Sequence, residues 1–133
     1  AIALWWMGKV DIAGGDLESA RSKLSAALHA FQSFEMNGEI VACIEDHAEL
    51  AQRLGYTGAA ASLYAAVEAF RERLGLPRPP RRAETWDNAI AAARSALGDA
   101  AFDAAWSEGF LWDLKQAVEF ALAPKANARV VTT

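Results

Sequence analysis

Leu4, Met7, Gly8, Gly15, Ala20, Leu24 and Ala27 recur at the spacing of one antiparallel helix pair built to stack on copies of itself. The small residues let two helices approach closely, and the large ones fill the space between them. Gly14-Gly15-Asp16 breaks the chain between the two helices. A weaker copy follows about 40 residues later, carried by Gly55, Ala60, Leu63, Tyr64 and Val67. This pattern predicts an all-helical repeat domain that works by presenting a surface.

The rest of the chain reads the same way, with apolar residues recurring at three and four and almost no strand signal. Helices are expected from near Ile2 to Ala13, from an Asp16 cap to Phe34, and from about Glu39 to Leu54, with Asn37-Gly38 as the stop between the second and third. Thr57 is positioned to cap a fourth helix that Gly75 closes. Leu76 to Arg82 holds Pro77, Pro79 and Pro80 and predicts a stiff connector outside any helix. Beyond it, Trp86, Ile90, Ala93 and Leu97 mark a fifth helix, Asp99 is placed to cap a sixth, and Asp113 with Gln116 forms a capping box for a last one. The expected architecture is all-α, about seven helices in a solenoid of antiparallel pairs. The pairs span about 1–34, 38–75 and 83–109, a closing helix covers 113–123, and 124–133 is a tail or linker.

Several function classes are set aside by composition. The 133 residues suit one domain. Net charge is −4, which argues against direct nucleic-acid binding. The longest apolar runs fall well short of a membrane span. Cys43 is the only cysteine, which excludes an internal disulfide and points to the reducing cytoplasm. No signal peptide is visible, and the first residues already read as helix, so the chain is expected to be part of a longer protein.

The first helix pair resembles a tetratricopeptide repeat. Gly8, Ala20 and Ala27 stand at that family's small positions, and Leu4, Met7 and Leu24 at its large ones. Leu54-Gly55, the run from Ala59 to Arg71, Leu74-Gly75 and Pro77 resemble the C-terminal helical region of multidomain LuxR-type transcriptional regulators. So do the runs from Phe102 to Gly109 and from Gln116 to Leu122. The resemblance implies a sensor or scaffold segment of a bacterial regulator whose ATPase and DNA-binding parts lie elsewhere.

No Gly-rich phosphate loop, nucleophile elbow or zinc-binding His pair is present, so no catalysis and no cofactor are expected. Cys43 and His47 share a helix face, yet zinc normally takes three or four ligands, and a buried thiol beside an interhelical histidine is the simpler reading. Arg71, Arg73, Arg78, Arg81 and Arg82 are read as helix-end chemistry plus a solvated connector. Trp86 and Trp106 lie on apolar stripes and are assigned to the core.

The candidate interaction residues are Trp5, Trp6, Lys9, Glu45, Glu49, Phe110 and Trp112. The partner is expected to be a protein, a peptide or another part of the parent chain, held on a concave face. The alternative is small-molecule effector sensing, with Tyr64, His47 and Cys43 as candidate contacts. Ile2, Leu4, Trp5, Trp6 and Met7 leave the first helix apolar nearly all round, which predicts a homodimer through the N-terminal edge.

Overall fold

A computed structural model describes residues 2–78 and 80–123. The expected tail at 124–133, Pro79 and the side chain of Arg81 lie outside the described residues. Within them the chain forms seven α-helices and no strand. They are α1 (Ile2–Gly14), α2 (Leu17–Ser33), α3 (Asn37–Arg53), α4 (Thr57–Leu74), α5 (Pro80–Leu97), α6 (Asp99–Phe110) and α7 (Leu114–Leu122). No described helix is long and apolar enough to cross a membrane.

Local chemistry explains most of the boundaries. Asp16 caps α2 by accepting the Ser19 amide at 3.3 Å. At the start of α7 the capping box is complete: the Gln116 amide donates to Asp113 at 2.7 Å, and the Asp113 amide donates to the Gln116 side chain at 2.9 Å. Gly75 closes α4 in the left-handed region, φ 64°, where a side chain would be strained.

Four boundaries differ from the sequence expectation. Asn37-Gly38 opens α3 instead of ending α2; the reversal falls at Phe34–Met36, where Glu35 adopts φ 54°. Tyr56, not Thr57, occupies the N-cap of α4. Gly98 is the N-cap of α6, and Asp99 lies in the first turn, accepting from Arg94 at 3.2 Å. Finally, α5 begins at Pro80, inside the stretch assigned to the connector. A proline at the first helical position lacks an amide hydrogen that the helix would not have used, so it starts a helix without penalty.

α1 packs on α2, α2 on α3 and α3 on α4, each against its sequence neighbour. Gly8 marks the closest approach of α1 to α2, since a Cβ there would lie 2.8 Å from Leu24. α4 is the central helix. It is buried almost continuously from Gly58 to Phe70, and its Ala-rich surface accepts neighbours on several sides.

The third pair does not repeat the geometry of the first two. α6 lies along α4 with a more extensive interface than α5 makes with either. Small residues permit this. A Cβ on Gly109 would sit 1.9 Å from the Ser62 carbonyl oxygen, and the buried Ser62 hydroxyl donates to the Ala105 carbonyl at 2.8 Å. α7 then turns back over α3, α4 and α2. Trp106, assigned to the core from its stripe, is half-buried and stacks on Phe102 at 5.5 Å, because α6 spends its closest contact on Gly109 and Ala105.

Gly109→Ala is expected to destabilise the protein by about 3 kcal/mol or more, since backbone on both helices must move to admit the methyl group. Gly38→Ala, whose added Cβ meets nothing within 4 Å, should be neutral or stabilising by up to about 1 kcal/mol. Urea unfolding of the two variants checks the contrast; equal effects would mean that α6 does not lie against Ser62.

Candidate functional site

α3 presents two faces of opposite character. Ile40, Val41, Ile44 and Ala48 face the core, while Glu45, Asp46, Glu49, Gln52 and Arg53 follow one another along the other side. That polar face lines a cleft of about 510 Å³, completed by Lys9 of α1, Tyr64 of α4 and Arg82, Thr85, Trp86 and Ala89 of α5. The cleft therefore crosses the first helix of each of the three expected pairs.

Hydrogen bonds fix its walls. The Tyr64 hydroxyl donates to the Gln52 side-chain oxygen, and the Gln52 amide donates to the Ala89 carbonyl at 3.3 Å, which ties α4, α3 and α5 together. Burial and the nearby carboxylates of Glu49 and Glu45 push the Tyr64 phenol up, so it stays a neutral donor. Arg53 donates to the Ile12 carbonyl at 3.0 Å and so satisfies an acceptor at the end of α1.

Trp86 forms the α5 wall. Tyr64 meets its ring edge-on at 5.1 Å, the Arg78 guanidinium lies over it at 3.8 Å, and its indole N–H donates to Glu68 at 2.8 Å. Arg78 also donates to Glu45 at 2.9 Å, and Arg71 donates to the same Glu45 oxygen at 3.2 Å. Arg78 is thus no solvated connector residue: its side chain is only 11% exposed. The connector folds back because Glu45 and Trp86 together give that guanidinium an anion and a π-face.

On the other wall, the Trp5 indole N–H donates to Asp46 Oδ2, and the Lys9 ammonium lies over both Trp5 and Trp6, 4.9 and 5.0 Å from their ring centroids. Asp46 is 7% exposed. Burial pushes its carboxyl up to about 6, against the pull of Lys9 and the Trp5 hydrogen bond. Its neighbour His47 faces inward. Burial pushes its imidazole down to about 4, and Nε2 has no hydrogen-bond partner. Cys43 donates to the Leu24 carbonyl at 3.6 Å, and burial pushes its thiol up, which keeps it protonated and unreactive. Beside His47 a cavity of about 40 Å³ has room for about one water. Among the described residues no three His, Cys, Asp or Glu side chains gather as a metal site.

Of the residues singled out from sequence, the structure gathers Lys9, Glu45, Glu49 and Tyr64 in the cleft, with Trp5 just behind Asp46, while His47 and Cys43 are buried. Trp6 is 59% exposed and reaches the cleft only through Lys9. Phe110 and Trp112 lie elsewhere, at the α6–α7 junction: the Phe110 carbonyl accepts from Arg73 at 3.1 Å, and the Trp112 ring packs on Phe120 at 4.5 Å. Gln52 and Arg53 were missed, although their spacing along α3 with Glu49 is a readable polar face. Trp86 was read as core only, and Arg82 was assigned to the connector.

Asp46 and His47 make opposite demands on pH. The raised Asp46 carboxyl favours the folded state below 3.8, and that contribution is lost as pH rises through about 6. The lowered His47 imidazole favours folding above 6.5, and its contribution is lost as pH falls through about 4. Each is worth about 3 kcal/mol, so between pH 4 and 6 the two gradients cancel. Relative to wild type, Asp46→Asn should gain about 3 kcal/mol as pH rises from 4 to 6.5, while His47→Leu should lose about as much. Urea melts across that range test this, because every other carboxylate titrates alike in the three proteins. Parallel curves would show that neither group is buried in its native form.

No family model, curated protein or solved structure matches this chain, so the role of the cleft is inferred from its own residues and geometry.

Proposed function

We propose that this chain is a non-catalytic protein-interaction module, a tetratricopeptide-like segment of a bacterial transcriptional regulator of the LuxR type, acting in the cytoplasm. Its α1–α3–α5 cleft receives a peptide segment from a partner or from the parent chain. The supporting observation is the cleft itself: about 510 Å³, open along three helices, with aromatic walls and a polar α3 face held in place by hydrogen bonds. Such a mixture of fixed apolar wall and convergent polar groups suits recognition.

The volume also falls in the range of small-ligand sites, which keeps effector sensing as the second reading. Thermal-shift measurements against a peptide library and a metabolite panel separate the two, because a ligand at a hundredfold excess over its Kd stabilises by about 2.7 kcal/mol. Peptide-induced shifts that disappear in Thr85→Arg, which fills the cleft from exposed α5, are the expected result. Shifts with metabolites alone would favour the effector reading.

We further propose that α1 pairs with a second copy. Ile2, Leu4, Trp6, Met7 and Val10 are 36 to 65% exposed. Ile2, Trp6 and Val10, four residues apart, share one side of the helix. A twofold axis would let that side of the helix meet its own copy. Light scattering should show a dimer at high micromolar concentration that Trp6→Lys dissociates. A wild-type monomer under the same conditions would remove the dimer and leave the cleft untouched.

A further inference from the structure

We infer that the floor of the cleft is a cation subsite, in which Asp46 holds the ammonium or guanidinium of a lysine or arginine side chain carried by the bound peptide. This rests on the cleft being a peptide site. Asp46 is more than nine-tenths buried, and its Oδ2 takes the Trp5 indole N–H, while its Oδ1 has no hydrogen-bond partner among the described residues. That oxygen opens to the cleft, where a donor carried by a ligand can reach it.

Lys9 pulls on the Asp46 carboxyl without coming within salt-bridge distance, and the other nearby cations are committed elsewhere. Lys9 lies over two indole faces, and Arg53 donates to the Ile12 carbonyl and lies 4.0 Å from Glu49. Arg71 and Arg78 both turn to Glu45, so that carboxylate is already neutralised, while Arg82 is exposed on α5. A cation that passes this rim reaches Asp46 with Glu49 one turn further along α3 and the aromatic rings of Tyr64 and Trp86 opposite, surroundings that suit a long-stemmed cationic side chain.

The charged groups facing Asp46 set the pH response. They are Lys9 from α1, Glu45 and Glu49 from its own helix, Tyr64 from α4 and Arg82 from α5, with Cys43 and His47 behind it. Tyr64 and Cys43 stay protonated through the neutral range and His47 stays neutral above about 4, so the charge change near pH 6 is that of Asp46. Binding of a cationic peptide should therefore weaken as pH falls from 7.5 to 5.

The test is a panel of phage-displayed random dodecapeptides selected on the intact protein, followed by synthesis of the enriched sequences and titration by calorimetry. The expected result is a lysine or arginine at one fixed position, whose exchange for norleucine weakens binding at least tenfold. Asp46→Asn should weaken it as much and remove the pH dependence, while keeping an oxygen for Trp5; circular dichroism and the melting curve verify its fold. Enriched peptides with no fixed cation, or peptides bound equally by Asp46→Asn, would overturn the cation subsite and leave the peptide cleft standing. No enrichment, or enriched peptides that Thr85→Arg still binds, would overturn the cleft itself. Spermidine serves as a competitor: binding as tight as that of the best peptide would assign the subsite to a free amine and overturn the peptide source.

Discussion

The close approach of α6 to α4 is the contact on which the arrangement of the second half depends. Gly109 brings the two backbones together at Ser62, and the Ser62 hydroxyl that this contact buries finds its acceptor in the Ala105 carbonyl. With α6 on that side of α4, α5 packs on α4 and α6 and meets α3 through the Gln52 hydrogen bond to Ala89, so that Trp86 and Ala89 line the cleft. Side-chain bulk anywhere along this contact would separate the helices and widen the cleft at its far wall.

Glu45 plays the matching part on the other side. Two arginines converge on one of its oxygens, one from the last turn of α4 and one from the connector. Arg78 then stacks on Trp86, so one carboxylate orients the connector, the start of α5 and a wall of the cleft together. Double-mutant cycles are the clean way to apportion such a network, since removing either arginine leaves the other partly paired.

The helices were legible in the sequence because their evidence is local: apolar periodicity, the Asp16 and Asp113 caps, and glycines where the backbone turns left-handed. Pro80 was misread because proline both stops helices and starts them, and only the chain that follows decides which. The packing of the third pair was not legible, since Gly109 reads as one more small residue until Ser62 is seen against it. In the cleft, Lys9, Glu45 and Glu49 could be chosen from helix position alone. Asp46 could not, because its burial depends on Trp5, 41 positions away in the chain. Trp86 shows the same limit: one ring both fills core and lines a wall, and periodicity reports only the first.

Whereas α4 is held from several flanks, α1 is held from one. It buries only Gly8 and Ile12, rests chiefly on α2, and meets α3 through Trp5 and the Arg53 bond to Ile12. Few buried apolar contacts make an element the first to open in local unfolding. One wall of the cleft is thus a separable part in thermodynamic terms, docked in whatever fraction of molecules its contacts with α2 and α3 set. A ligand that needs that wall sees its affinity scaled by that fraction. Anything that pins α1, from a neighbouring chain to a second subunit, would then tighten binding without touching the ligand.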